Sequence, residues 1–255
     1  MTASFRISRE VITARGKDAR TFLHSQLSND IAGLAVGTSR YAFALEPTGR
    51  IAAFVRVQCV ADDHFVLDVD PGCGEAALAR LNKFKIRVAC EFTHEVQDVV
   101  ALRGMNASER TAALARDGAV AAWREADGAV DVFASNPAET SSLEDFHRER
   151  VRCAWPIFDV DITRDSLPAE TSLNDVCVSF TKGCYPGQEL VERMDSRGST
   201  APRRLMRLPS PAVAGSPYQL ADGIEIGMCT SVAGDYALVM VQRAHLGTAE
   251  QLARS

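Results

Sequence analysis

The sequence predicts an α+β protein that ends in a small β-barrel or sandwich. Three observations carry this. Strand-like and helix-like segments are mixed up to about residue 155 without strict βαβ order. Residues 151–200 show little periodicity and many polar side chains. Beyond Pro202, short strand candidates dominate, punctuated by Gly215, Gly223, Gly227 and Gly234. A soft boundary near Ser199 divides the chain into residues 1–199 and a C-terminal β unit over 200–255.

The elements follow in order. Ala19, Phe22, Leu23, Gln26 and Leu27 fall at helical spacing, with Asp18 as the N-cap and Ser28-Asn29-Asp30 as the stop. Tyr41 to Leu45 reads as a strand, and Glu46-Pro47-Thr48-Gly49 as a turn. Ile51 to Val60 and His64 to Val69 form a hairpin or meander closed by Asp70-Pro71-Gly72. Glu75 to Phe84 is expected as a helix with Ala76, Ala77, Leu78 and Leu81 inward, and Ile86 to Ala89 as a further strand. Strand Val99 to Leu102, helix Ala107 to Ala115 and strand Val130 to Phe133 come next. Ser135-Asn136-Pro137 signals a loop, and Ser141-Ser142-Leu143-Glu144 has capping-box character before a helix through Arg150. Arg204 to Leu208, Ile224 to Met228 and Tyr236 to Val241 are the C-terminal strands.

The chain has 255 residues, 46% hydrophobic and 24% charged, which supports a real core and excludes a disordered tail protein. A net charge of −5 gives no general electrostatic case for nucleic acid. No stretch approaches the ~20 apolar residues of a membrane helix. The N-terminus lacks a secretory pattern and a long Arg/Ser-rich presequence, so the cytoplasm is the expected location, or a matrix form already processed. The seven cysteines are odd in number and scattered, with no C-x-x-C or C-x-x-H pair. A disulfide framework, a structural zinc site and a ferredoxin-type cluster site are therefore not expected, and most of the cysteines should be small buried residues.

One cysteine has a different setting. Thr181 to Glu189 reads TKGCYPGQE, and its glycines and proline require a shaped loop. Lys182, two residues from Cys184, favours a thiolate. Cys184 is thus a candidate nucleophile, redox thiol or transient metal or cluster ligand; the alternative is a buried Cys in a tight turn. Gln188 and Glu189 either hydrogen-bond a polar ring or open the next helix.

Lys182 to Glu189, KGCYPGQE, resembles the signature K-G-C-[aromatic]-x-G-Q-E of the YgfZ family, folate-binding proteins related to the T-protein (aminomethyltransferase) of glycine cleavage. Gly16 to Ile31 resembles the G-x-D-A-x-x-F-L-x-x-Q-x-x-N-D segment shared with T-proteins. Thr48-Gly49-Arg50 resembles the following turn. Trp155 to Asp159, Leu167 to Glu170 and Arg203-Arg204-Leu205 resemble further stretches in the right order. Residues 95–140 carry little recognisable pattern. The resemblance implies a multi-lobed T-protein-like folate-binding fold, with two intertwined α+β lobes before the C-terminal barrel. It implies tetrahydrofolate or a derivative as cofactor, and a role in assembly or repair of iron–sulfur (4Fe–4S) proteins through Cys184. The expected partners are folate and iron–sulfur client or assembly proteins, with neither nucleic acid nor membrane among them, and no dedicated metal site is implied.

The alternative is a folate-dependent aminomethyltransferase of the T-protein type. T-proteins carry an acidic pair in a G-G-x-x-D-D pattern, but Gly49-Arg50-Ile51-Ala52-Ala53-Phe54 has alanines there. An alanine supplies neither acid–base nor electrostatic help. A Cys–His thiol enzyme is a further reading, although none of His24, His64, His94, His147 and His245 is near Cys184 in sequence. A pure binding or scaffold protein overlaps the favoured reading.

In the signature loop, Lys182 and Cys184 are the expected chemical residues, with Gly183, Tyr185, Gly187, Gln188 and Glu189 shaping it. Asn29 and Asp30 either line the folate cavity or cap and turn the helix end. Glu170 is expected at the pterin ring, because two carboxylate oxygens accept an amino group and a ring N–H side by side. Phe146 and Trp155 are aromatic candidates for stacking, Trp155 being the better core residue. Arg193, Arg197, Arg203 and Arg204 meet a folate tail or acidic partner, or form a solvated face.

Overall fold

The computed structural model describes residues 2–133, 141–196, 201–210 and 212–254. The loop signal at Ser135 to Pro137, Arg197 and the boundary at Ser199 lie outside the described residues.

Most of the chain is organised by one seven-stranded sheet of order β2-β3-β4-β1-β5-β7-β6. Its strands are β1 (Ala3–Arg15), β2 (Ser39–Leu45), β3 (Ile51–Ala61), β4 (His64–Val69), β5 (Glu91–Arg103), β6 (Ala119–Ala122) and β7 (Ala129–Phe133), and every ladder is antiparallel. β1 and β5 pair along their full length, from Ala3↔Arg103 to Arg15↔Glu91. The sheet curls until its edges meet. The backbone N–H of Trp123, just after β6, donates to the Tyr41 hydroxyl of β2 at 3.2 Å, and Arg56 Nη1 of β3 donates to Ala121 O at 3.1 Å.

Helices α1 (Ala19–Gln26) and α2 (Gly74–Lys83) bury Ala19, Phe22, Leu23, Ala77 and Leu81 in the main core. Asp18 stands at the N-cap of α1, but its carboxylate accepts from Ala89 N instead of capping. Helix α3 (Ala107–Leu114) is fastened by an Asn106–Glu109 capping box. Helix α4 (Leu143–Arg152) starts from a capping box between Ser142 and Asp145. Two short helices, α5 (Asn174–Cys177) and α6 (Gln188–Ser196), flank the signature loop.

The C-terminal β unit is a four-stranded antiparallel sheet: β8 (Arg203–Pro209), β9 (Pro217–Gln219), β10 (Glu225–Ala233) and β11 (Tyr236–Gln242), in the order β8-β11-β10-β9. This is the small C-terminal β unit expected from the short strands and glycines beyond Pro202, and its described ladders do not pair β8 with β9. Leu205, Leu238 and Met240 join the main core, while Leu208, Val239 and Val241 pack with Ala249 of α7 (Leu246–Leu252). The strand expected over Ile86 to Ala89 is irregular chain; Arg87 has φ +56, which a strand does not tolerate. Among the described residues no helix is long and apolar enough to cross a membrane.

Candidate functional site: an aromatic cavity and an exposed cysteine loop

The concave side of the curled sheet holds a cavity of about 310 Å³, closed on one side by α4 and the segment after it. Its apolar wall comes from Tyr41, Phe54, Trp123, Phe146 and Trp155. These rings touch: Tyr41 and Trp155 have centroids 4.7 Å apart, and Trp123 stacks on Trp155 at 6.3 Å. Strand alternation delivers Tyr41 and Phe54 from neighbouring strands, and α4 delivers Phe146.

The rest of the wall is ionic. Arg9, Arg56, Arg103, Arg150, Asp70 and Asp131 line it. Arg56 bonds Asp68 through Nε at 2.7 Å and Asp131 through Nη1 at 2.8 Å. Arg9 bonds Asp68 at 2.8 Å and also pairs with Asp70. Arg103 Nη2 lies 2.7 Å from Asp131 Oδ1, and Arg150 Nη1 lies 2.7 Å from Asp161 Oδ2. Four arginines thus face four aspartates, so the cavity carries no net positive charge from this network. Burial alone would raise the Asp131 carboxyl, but Arg103 and Arg56 hold it below its ordinary value, and it is ionised at neutral pH. Arg150 also reaches the C-terminal sheet, donating to Ser231 Oγ at 2.8 Å.

The signature loop lies elsewhere. None of its residues lines the cavity. Cys184 is exposed, and it is the exposed one of the seven cysteines. Lys182 points its ammonium into the C-terminal end of α1, donating to Leu27 O at 2.6 Å and to His24 O. A helix end favours such a cation. Burial nevertheless pulls the Lys182 ammonium down to about 8, while Asp30 and Cys184 act in the opposite sense. Tyr185 is buried under the loop with its ring 4.7 Å from Lys182 Nζ, and burial with Glu192 nearby pushes its hydroxyl up to about 12. Gln188 accepts from Tyr185 N at 3.3 Å and donates to Glu192 as α6 begins; Glu189 is exposed. Gly183 is exposed with open space around its Cα. Gly187 has φ +81, and a Cβ there would stand 2.7 Å from Glu46 O. The loop is therefore seated on the Glu46–Arg50 turn, the other segment of the sequence pattern.

Of the expected folate contacts, Phe146 and Trp155 line the cavity. Asn29 does not. It is a buried clamp that donates to Tyr41 O and Val176 O, both at 2.8 Å, and accepts from Asp30 N. Asp30 accepts from Gly33 N at 3.1 Å and faces His24 and Arg40. This is the cap-and-turn reading of the pair. Glu170, 2% exposed, is outside the cavity as well: its oxygens accept from Leu167 N at 2.9 Å and from Arg203 Nε at 3.0 Å. Arg203 is thereby committed too, and Arg204 pairs with Glu250. Sequence reasoning missed Arg9, Tyr41, Phe54, Arg56, Arg103, Trp123, Asp131 and Arg150. The charged residues within strand-like runs were the available signal, since Arg56 interrupts an otherwise apolar β3. Among the described residues no hydrogen bond joins Cys184 to a histidine; His24 Nδ1 accepts from Ile31 N and Ala32 N at 3.2 and 3.1 Å.

Residues 8–125 match the GCVT N-terminal domain. An uncharacterized protein of Haemophilus influenzae is 25% identical over 201 residues, 74% of this chain and 67% of its own. The tRNA-modifying protein YgfZ of Vibrio vulnificus is 23% identical over 230 residues, 81% of this chain and 69% of its own. The crystal structure of glycine cleavage system aminomethyltransferase T from Bartonella henselae shares the fold, with a TM-score of 0.78 over 95% of this chain and 79% of that chain at 19% identity.

Proposed function

For a chain that is YgfZ-like and related to the glycine-cleavage aminomethyltransferases, we propose a tetrahydrofolate-binding protein that assists assembly or repair of 4Fe–4S proteins. The observation that carries the folate half is the aromatic cavity in a GcvT-like fold. Tyr41, Phe54, Trp123, Phe146 and Trp155 suit a flat bicyclic ring, in a cavity of about 310 Å³. Bound there, tetrahydrofolate supplies one-carbon carriage or a reducing pterin ring. The chain's own residues bind and orient it.

Cys184 is the proposed working thiol. It is exposed, on a loop held by Gly187 against the Glu46–Arg50 turn, with the Lys182 ammonium behind it. This arrangement suits contact with a second protein: the thiol faces solvent, with Lys182 half-buried and Tyr185 buried beneath it. Iron–sulfur clients or assembly proteins are the proposed partners, and the cytoplasm the proposed setting. The Vibrio relative is named a tRNA-modifying protein. A net charge of −5 gives no general electrostatic case for RNA, and we relate the chain to such systems through protein clients. Aminomethyl transfer is the weaker reading. Ala52 and Ala53 stand where the acidic pair belongs, and the carboxylates lining the cavity, Asp70 and Asp131, are both engaged by arginines.

Anaerobic calorimetric titration with tetrahydrofolate tests the first half. Saturable one-site binding is expected; no heat from demonstrably folded protein removes both folate readings. For the second half, Cys184→Ser should bind tetrahydrofolate as the wild type does, yet fail to restore the activity of a 4Fe–4S enzyme in cells lacking this protein. Full restoration by that variant rejects the thiol role.

A further inference from the structure

The backbone from Phe180 to Cys184 neither donates nor accepts a hydrogen bond among the described residues. Its neighbours on both sides are paired. Ser179 N donates to Ser28 O at 3.0 Å, Tyr185 N donates to Gln188 Oε1 at 3.3 Å, and Tyr185 O accepts from Gln188 N at 3.3 Å. Main-chain N–H and C=O groups are obligatory hydrogen-bonding groups, so those of this segment are left to water or to another molecule. The segment is nonetheless fastened through its side chains. Lys182 Nζ donates to Leu27 O and His24 O, and Tyr185 is buried beneath the loop. The supports engage side chains and leave the main chain unpaired.

Gly183 lies in the middle of this strip. Its φ is outside the left-handed region, and a Cβ built on it meets no heavy atom within 4 Å. Gly187 is the contrast, with φ +81 and a Cβ position 2.7 Å from Glu46 O. The fold requires a glycine at 187 and not at 183. A glycine that its own chain does not need leaves room for a second backbone to come close. Phe180 adds a large apolar ring that is 41% exposed, a suitable anchor for a partner side chain. Beside the strip, α6 exposes Glu189, Glu192 and Asp195 against one exposed cation, Arg193. This excess of negative charge favours a basic partner and opposes a second copy of the chain, which would bring the same acids.

We infer that Phe180 to Cys184 is a docking strip for an extended, basic segment of a client polypeptide, held main chain to main chain beside the Cys184 thiol. Phe180 grips an apolar side chain of the client, Gly183 admits its backbone, and the carboxylates of α6 meet its cations. The inference rests on the thiol reading of Cys184 and adds what brings a client to that thiol.

The test uses the full-length protein and the 4Fe–4S enzyme of the restoration assay. Gly183→Val puts a branched side chain into the space kept open beside the thiol. Its melting temperature should match the wild type, and Cys184 should still react fully with iodoacetamide, but restoration of the enzyme should be lost. Full restoration by Gly183→Val where Cys184→Ser fails overturns the docking strip and leaves the thiol reading standing. Full restoration by Cys184→Ser overturns the thiol reading, and this inference with it. Short overlapping peptides spanning the sequence of that enzyme are also titrated against the wild type by fluorescence anisotropy. A basic peptide should bind, less tightly as salt rises, and about tenfold less tightly to Phe180→Ser. Binding by no peptide, or equal binding by acidic ones, overturns the inference. A wild-type dimer that Gly183→Val dissolves would give the strip to a second copy and overturn the client assignment. Should Gly183→Val not fold, the peptides decide alone.

Discussion

Lys182 sits where burial and hydrogen bonding oppose each other. The two carbonyls at the end of α1 hold its ammonium, yet desolvation brings its titration down to about 8. Below that pH the residue is a cation behind Cys184; above it the charge is gone. Lys182→Gln should therefore slow alkylation of Cys184 about threefold at pH 7. The difference from wild type should shrink as pH passes through 8, and equal rates at pH 7 would mean that Lys182 only anchors the loop. At this scale the shape of the signature loop was legible in the sequence, because two glycines and a proline leave few conformations. Glu170 and Asn29 were not legible. A carboxylate or amide in a loop reads the same whether it meets a ligand or the backbone of its own turn.

The turn Pro168–Glu170 is joined to β8 through Glu170 and Arg203, which makes it a tie between the irregular segment and the C-terminal sheet. Glu170→Ala would leave Leu167 N and the Arg203 guanidinium without their acceptor. A loss of about 1–3 kcal/mol in stability is expected, with tetrahydrofolate affinity unchanged; chemical denaturation and calorimetry on the same preparation check both. Among whole elements, α1 to α4 were readable from spacing and caps, and the apolar β3 and β4 from their runs. β1 was not. Phe5-Arg6-Ile7-Ser8 alternates, but the pattern slips at Val11-Ile12, where both side chains are buried. The first half of β5, Glu91 to Asp98, is largely polar and is a strand because β1 pairs with it, not because its own composition asks for it.

For the molecule as a whole, the cavity could not be read from the chain. Most of its ionic wall, Arg9, Arg56, Arg103 and Asp131, comes from charged residues on strands, which sequence patterning assigns to solvent, and the curling of the sheet turns them inward. The same curled body sets a pH response. His24 and His147 are held below the ordinary imidazole value, first by burial and then by Lys182 and Arg150 respectively. Their folded-state values are depressed, so the unfolded chain takes up protons first as pH falls below about 6.5. The stability they contribute is present above that pH and is lost as pH drops through their folded values. The melting temperature should fall between pH 7 and pH 5, and His147→Gln should flatten that slope; an unchanged slope would assign it to other groups. Finally, the central place of β1 has a consequence for synthesis. Its partners are β4 and β5, and β5 begins 76 residues after Arg15, the end of β1. At ~5–20 residues per second, β1 spends about 4–15 s outside the ribosome with a long unpaired edge before that partner is made. A nascent chain of this design gains from a chaperone that covers the strand, and slow codons placed between β1 and β5 should lower the soluble yield.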